Sequence, residues 1–199
     1  MRIESLQDLG IERGVKPDDI RAVTELYVRC LASKILPILG DYPKAVDLFE
    51  GALNSHQVLI AKHKGQVVGV LGLKTASASP YEPTLREAWR ILGVLGPLRL
   101  MLLGLLDNSC DPQTVFIDGL AVHEEARSLG IGSLLLSKAE EIARTDGKSF
   151  LALEVINTNP RAEALYLKHG FRRVAEQRLG ILELFFDFSR AAEMRKSLV

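Results

Sequence analysis

The chain has 199 residues, 47% of them hydrophobic, enough for one domain with a substantial core and too few for two full ones. Its 25 basic and 25 acidic residues cancel, so the composition carries no footprint of a polyanion and nucleic acid is not an expected partner. Cys30 and Cys110 lie far apart without C-x-x-C spacing, which argues against a metal knuckle or redox pair; no metal is expected, and both read as free thiols in a reducing cytoplasm.

In chain order, the first residues lack the charged-then-apolar layout of a signal peptide. Residues 3–15 are weakly patterned and allow a short first strand. Lys16-Pro17-Asp18-Asp19 then starts a helix, with Ile20, Val23, Leu26, Tyr27 and Cys30 at helical spacing. After the break at Gly40-Asp41-Tyr42-Pro43 a second helix is expected over 44–53. Residues 57–61 and 66–73 read as strands of a hairpin turning at His63-Lys64-Gly65, and 77–83 as a loop.

Residues 84–106 form an apolar helical insert broken at Pro97. Pro97 and Arg99 cut its apolar run into pieces well short of the ~20 residues that span a bilayer, so no transmembrane segment is expected and the chain reads as soluble. The insert reads first as a helix pair packed on the domain, with a wall for a hydrophobic acceptor next, then a contact with a second copy or a membrane surface. A strand over 115–122, a helix over 131–144 and an apolar strand over 150–156 follow. Asn159-Pro160 opens another helix, as cap and first helical residue, and Gly170 closes it. A strand over 171–177 comes next, the aromatic content of 181–188 favours a final strand, and 189–199 reads as a polar tail. This order describes one mixed α/β domain over 1–199, a single sheet with helices on both faces.

The chemistry concentrates where the strand at 115–122 feeds Arg127-Ser128-Leu129-Gly130-Ile131-Gly132 and the next helix. A helix start presents unpartnered N–H groups and the positive end of the dipole, the geometry that binds phosphates. Gly130 and Gly132 would let a pyrophosphate approach the main chain, and Arg127 would add charge. The turn alone equally suits a tight strand–helix connection, and neither the G-x-G-x-x-G nor the P-loop pattern is present.

With a second motif added, the sequence resembles the GNAT superfamily of acyl-CoA-dependent N-acyltransferases. The pattern Q/R-x-x-G-x-G/A matches Arg127 through Gly132, preceded by Leu120-Ala121-Val122. The pattern N-x-x-A-x-x-L-Y-x-x-x-G-F matches Asn159 through Ala162, Leu165, Tyr166, Gly170 and Phe171. The resemblance implies a central mixed, mostly antiparallel sheet with helices on both faces and a helical insert between the third and fourth strands. It implies that main-chain groups of Leu120, Ala121 and Val122 meet the acetyl-pantetheine arm of acetyl-CoA. Arg127, Ser128, Leu129, Gly130, Ile131, Gly132 and Ser133 would cradle the pyrophosphate, Asn159 would contact the cofactor, and Tyr166 would sit near the thioester sulfur and protonate the leaving thiolate. Two departures stand out: Glu124 replaces a common proline, and Ser128 replaces a glycine after the arginine.

Amine attack on a thioester needs a free amine, and an alkylammonium is mostly charged at neutral pH. Asp118 is the first candidate base, expected on the same strand face as Leu120 two positions on, and Glu154 the second. His123 reads as a surface loop residue. Each role has a plainer counterpart: Arg127 as a solvated charge, Asn159 as a helix cap, Tyr166 as a packing residue, Asp118 as a charge satisfied locally. The expected function is N-acetyl transfer from acetyl-CoA to a primary amine in a ternary complex in the cytoplasm, with a homodimer left open. A longer-chain acyl-CoA N-acyltransferase and a non-catalytic acyl-CoA-binding sensor are the alternatives.

Overall fold

Apolar strands alternate with amphipathic helices along the chain, and in a computed structural model, which describes residues 8–104, 110–178 and 186–199, the strands share one sheet. The elements are β1 (Leu9–Arg13), α1 (Ile20–Cys30), α2 (Ala32–Leu39), α3 (Tyr42–Gly51), β2 (Val58–His63), β3 (Gln66–Lys74), α4 (Leu85–Leu92) and α5 (Gly96–Gly104). Then come β4 (Thr114–Val122), α6 (Ile131–Thr145), β5 (Phe150–Ile156), α7 (Pro160–Lys168), β6 (Arg172–Arg178) and β7 (Arg190–Ser197). The sheet order is β1-β2-β3-β4-β5-β7-β6, and among the described residues only β4 and β5 pair in parallel.

Two cores flank the sheet. On one face α6 and α7 set Ile131, Leu135, Leu136, Ala139 and Tyr166 against Leu71, Leu73, Ile117 and Leu153. On the other, α1 to α5 pack Val23, Tyr27, Ile35, Phe49 and Ala88 onto Ile60, Val70 and Ala121. The i, i+4 spacing of Ile131, Leu135 and Ala139 makes α6 a wedge whose apolar stripe is wholly buried. Truncating Leu135 there would cost about 2–5 kcal/mol.

The hairpin turns tightly at Lys64-Gly65, both with positive φ (48° and 80°), the backbone twist that suits a two-residue turn, and His63 stays in β2. The insert begins with a reciprocal cap in which Thr84 and Glu87 satisfy each other's main-chain N–H groups. Its break falls at residues 93–95, not at Pro97. Gly93 adopts a φ of 78°, while Pro97 sits in the first turn of α5, where its missing N–H costs nothing. Leu105 and Leu106 of the expected insert lie outside the described residues.

Further expectations need correction. The helix expected over 44–53 starts at Tyr42, because Asp41 caps it by accepting from the Lys44 N–H at 3.0 Å. Helix α2 is absent from the sequence reading, since Pro37 inside it removes a helical donor, and the tertiary burial of Ile35 and Leu39 overrides that cost. The polar tail over 189–199 is in fact β7, seated between β5 and β6. Its Ala191, Ala192 and Met194 are buried, and its charges find partners, Arg195 with Glu193 and Lys196 with Glu140. Of the strand expected over 181–188, residues 181–185 lie outside the described residues and 186–188 are not strand.

Candidate active site

Strand β4 is irregular at its middle. Gly72 of β3 pairs with Gly119 and Leu73 pairs with Ile117, so Asp118 is an extra residue opposite that step, a β-bulge. The bulge inverts the alternation along the strand. Ile117 faces the α6 core, but Asp118 and Gly119 both face α1, and Leu120 returns to the α6 side. Asp118 and Leu120 therefore lie on opposite faces, contrary to the simple two-residue alternation. Glycine at 119 is required there: a Cβ would stand 2.8 Å from the Tyr27 ring and 3.0 Å from Leu31.

The bulge also bends β4 away from its parallel neighbour. Pairing with β5 runs only from Thr114↔Phe150 to Ile117↔Leu153, and beyond it the two strands splay. Asp118 and Glu154 are the first residues past the last pair, one on each lip of the opening. The Tyr27 hydroxyl donates to Asp118, and Glu154 forms a half-buried ion pair with Lys34 of α2 at 3.3 Å. Both candidate bases thus stand on the α1–α2 face.

At the far end of β4 the turn runs to α6. Ala126 is buried and Leu129 packs on the α6 core, which pins the loop, while Arg127, Ser128 and Gly130 are exposed. Gly130 is the N-cap at φ 83°, and having no side chain it leaves the first N–H groups of α6 without the side-chain acceptor that usually caps a helix. The two glycines divide their duties. A Cβ on Gly130 would meet nothing within 4 Å, whereas one on Gly132 would stand 3.2 Å from Leu165 and 3.6 Å from Leu120. Gly132 lets α6 close on α7 and β4; its bareness does not face an open site. Ser128, at φ 69°, occupies a left-handed conformation that favours glycine and accepts from Arg161 of α7 at 2.7 Å. Arg127 turns back along the strand, its Nε donating to the Val122 carbonyl at 3.2 Å and Nη2 3.9 Å from Glu124.

Asn159 caps α7, accepting from the Ala162 N–H at 3.1 Å. Tyr166 lies under the sheet on the α6–α7 side, its ring 6.0 Å from Phe171. Burial pushes its phenol up to about 12, because a phenolate there would lose its hydration. His123 is half-buried at the end of β4, its N–H bonded to Val68.

A cavity of about 270 Å³ opens beside Asp118 on the α1–α5 face. Sequence reasoning missed its aromatic side, where Tyr27, Phe49 and Tyr81 meet at tilted and edge-on angles with ring centroids 4.4–6.1 Å apart; Leu100 and Leu103 of α5, within the apolar insert, close it. The signal available was Lys34, a lone cation in the apolar run 31–39. Among the described residues no group of histidine, cysteine and acidic side chains is placed to hold a metal, and no helix is long and apolar enough to cross a membrane.

The acetyltransferase (GNAT) family model matches residues 20–171, and the chain belongs to that family; it is an acyltransferase. No curated protein matches the chain in sequence. Among solved structures, an acetyltransferase is 24% identical with a TM-score of 0.63, covering 96% of this chain and 100% of that one. A Bacillus subtilis acetyltransferase in complex with CoA is 19% identical, TM-score 0.61, covering 96% and 99%. A GNAT family acetyltransferase from Elizabethkingia anophelis with acetyl-CoA bound is 17% identical, TM-score 0.58, covering 96% and 98%. At these identities the likeness concerns the fold.

Proposed function

We propose that the chain is a single-domain, cytoplasmic N-acetyltransferase that moves the acetyl group of acetyl-CoA to a primary amine by direct attack. The observation that carries this reading is the bulge at Asp118, which opens β4 from β5 and aims a carboxylate at the opening. The pyrophosphate takes the uncapped N–H groups of residues 128–133, with Asn159 and Arg127 at its edges. The pantetheine arm lies along Leu120, Ala121 and Val122, whose main-chain groups on the β5 side are released by the splay.

The amine arrives as an ammonium at Asp118, which accepts its proton directly or through water and is held in place by the Tyr27 hydroxyl. The free amine attacks the thioester carbon, and a β4 main-chain N–H stabilises the oxyanion. Collapse expels the thiolate towards Tyr166. A phenol near 12 stays protonated throughout the neutral range but is too weak an acid to give its proton fully to a thiolate whose own value is roughly 8.5. Tyr166 therefore donates a hydrogen bond to the departing sulfur, and the proton that completes the thiol comes from the newly acylated nitrogen. Glu154 is paired with the Lys34 ammonium, whose charge opposes protonation, whereas the Tyr27 hydroxyl that Asp118 accepts from is neutral, which favours Asp118 as the base.

The test is calorimetry of the full chain with acetyl-CoA, beside a Gly130→Val variant, whose branched side chain does not tolerate a φ of 83°. Binding heat in the native protein that the variant loses supports the reading. No heat with either CoA or acetyl-CoA overturns it.

A further inference from the structure

The cavity beside Asp118 lies on the α1–α5 face, whereas the α6 start and Tyr166 belong to the opposite one. Two ligands can thus reach the splay from opposite sides, and the cavity's lining describes the second of them. Tyr27, Phe49, Tyr81, Leu100 and Leu103 supply an aromatic and aliphatic wall. The polar groups are few: Asp118 with the Tyr27 hydroxyl that donates to it, Ser79, the Lys34 ammonium already turned to Glu154, and the buried Tyr81 hydroxyl. That hydroxyl lies beside Thr24 yet outside hydrogen-bond geometry.

From this lining we infer that the amine acceptor is a compact monoamine carrying an apolar, ring-sized body, such as an arylalkylamine. The inference rests on the acetyltransferase reading above and names its missing substrate. Three features select it. About 270 Å³ falls just below the usual ~300–1,000 Å³ of small-molecule sites, which admits a single ring with a short arm and not a sugar-based antibiotic. The cavity lining contributes one carboxylate, Asp118, while Glu154 on the other lip is paired with Lys34, so one ammonium is matched; each further cation of a polyamine would lie against hydrocarbon or against Lys34. Tyr27 and Tyr81, with ring centroids 4.4 Å apart and planes tilted by 39°, give the wall an aromatic surface that suits both an apolar body and the cation it bears. The carboxylate also argues against the cavity as a tunnel for a longer acyl chain, because a methyl-ended chain would desolvate Asp118 and offer it nothing.

The experiment measures thiol release by the full chain with acetyl-CoA and 2-phenylethylamine, spermidine or an alanyl tripeptide. In parallel, calorimetry follows 2-phenylethylamine binding to the protein saturated with CoA. The expected result is a kcat/KM for 2-phenylethylamine at least about tenfold above the other two, since apolar pockets discriminate on that scale. Leu103→Trp, which fills the cavity, should raise its KM about tenfold and leave acetyl-CoA affinity unchanged. Leu103→Ala, which enlarges the cavity, should shift preference towards a naphthyl amine; this arm decides if the tryptophan variant fails to fold. Preference for spermidine or the peptide overturns the inference. So does a preference for hexanoyl-CoA over acetyl-CoA that Leu103→Trp abolishes, which would make the cavity an acyl tunnel. If no amine releases thiol but 2-phenylethylamine binds the CoA-loaded native protein and not the tryptophan variant, the transferase reading fails and the cavity assignment stands. No binding and no release together overturn the cavity assignment.

Discussion

The two faces of the sheet are built on different principles. The α6–α7 face is held by a continuous apolar core and by backbone devices: a left-handed glycine cap, a glycine that lets two helices close, a capping asparagine. The α1–α5 face is held by five short helices whose packing leaves a cavity and brings a tyrosine and a lysine onto the two carboxylates of the splay. One face is specified by local chain geometry, the other by side chains that meet across 91 and 120 residues of sequence. A site recognised through backbone can be common to proteins with many acceptors, while the acceptor itself is chosen by the side-chain face.

The strongest way to break this comparison is Asp118→Asn. The change preserves shape and removes the base, so kcat/KM at neutral pH should fall by roughly 10²–10⁴ while calorimetric acetyl-CoA affinity stays unchanged. The deficit should shrink as pH rises towards the amine's own value of about 10.4, where the acceptor loses its proton unaided. A pH-independent loss would mean that Asp118 only anchors the ammonium, and the base would have to be sought elsewhere.

The difference between the faces also explains what was legible in the sequence. Gly130, Asn159 and Tyr166 were readable because the conformation each one serves is local: a left-handed cap, a helix start, a helical spacing. The bulge at Asp118 was not, because it is a register shift between β3 and β4 and leaves no mark on β4 alone beyond Asp118-Gly119. That is why simple alternation puts Asp118 on the wrong face. β7 was misread for a related reason. Ala-Ala-Glu-Met-Arg-Lys has no strand propensity, and its conformation comes from two neighbours already in place. Helix α2, with a proline inside, owes its existence to the core it covers.

Tyr166→Phe probes the other face and should have the smaller effect. Losing one hydrogen bond to the developing thiolate should lower kcat about 10²-fold, with acetyl-CoA affinity intact. Because the native phenol ionises only near pH 12, the native rate should rise with pH as the acceptor deprotonates and show no Tyr166-dependent fall through pH 10. A descending limb near pH 9 that vanishes in Tyr166→Phe would show instead that substrate binding rehydrates the hydroxyl and lowers its value. In that case Tyr166 could complete the proton transfer itself.

The smallest effect belongs to Ser128→Gly, which sharpens the claim that the α6–α7 face is a backbone device. Ser128 holds φ 69°, a left-handed conformation that costs a non-glycine residue roughly 1–2 kcal/mol. Glycine removes that strain but adds roughly 0.5–1 kcal/mol of unfolded-state entropy. It also forfeits the exposed hydrogen bond from Arg161, which is worth little in water. The balance favours the variant by about 0.5 kcal/mol, an increase of roughly 1–2 °C in Tm for a chain of this size. Acetyl-CoA affinity should change less than twofold, since the main-chain N–H of residue 128 survives the substitution. A lowered Tm would mean that the link from Arg161 to Ser128 clamps α7 to the loop. Weakened acetyl-CoA binding at unchanged Tm would put the Ser128 hydroxyl itself on the pyrophosphate, a side-chain contact on the face assigned here to backbone.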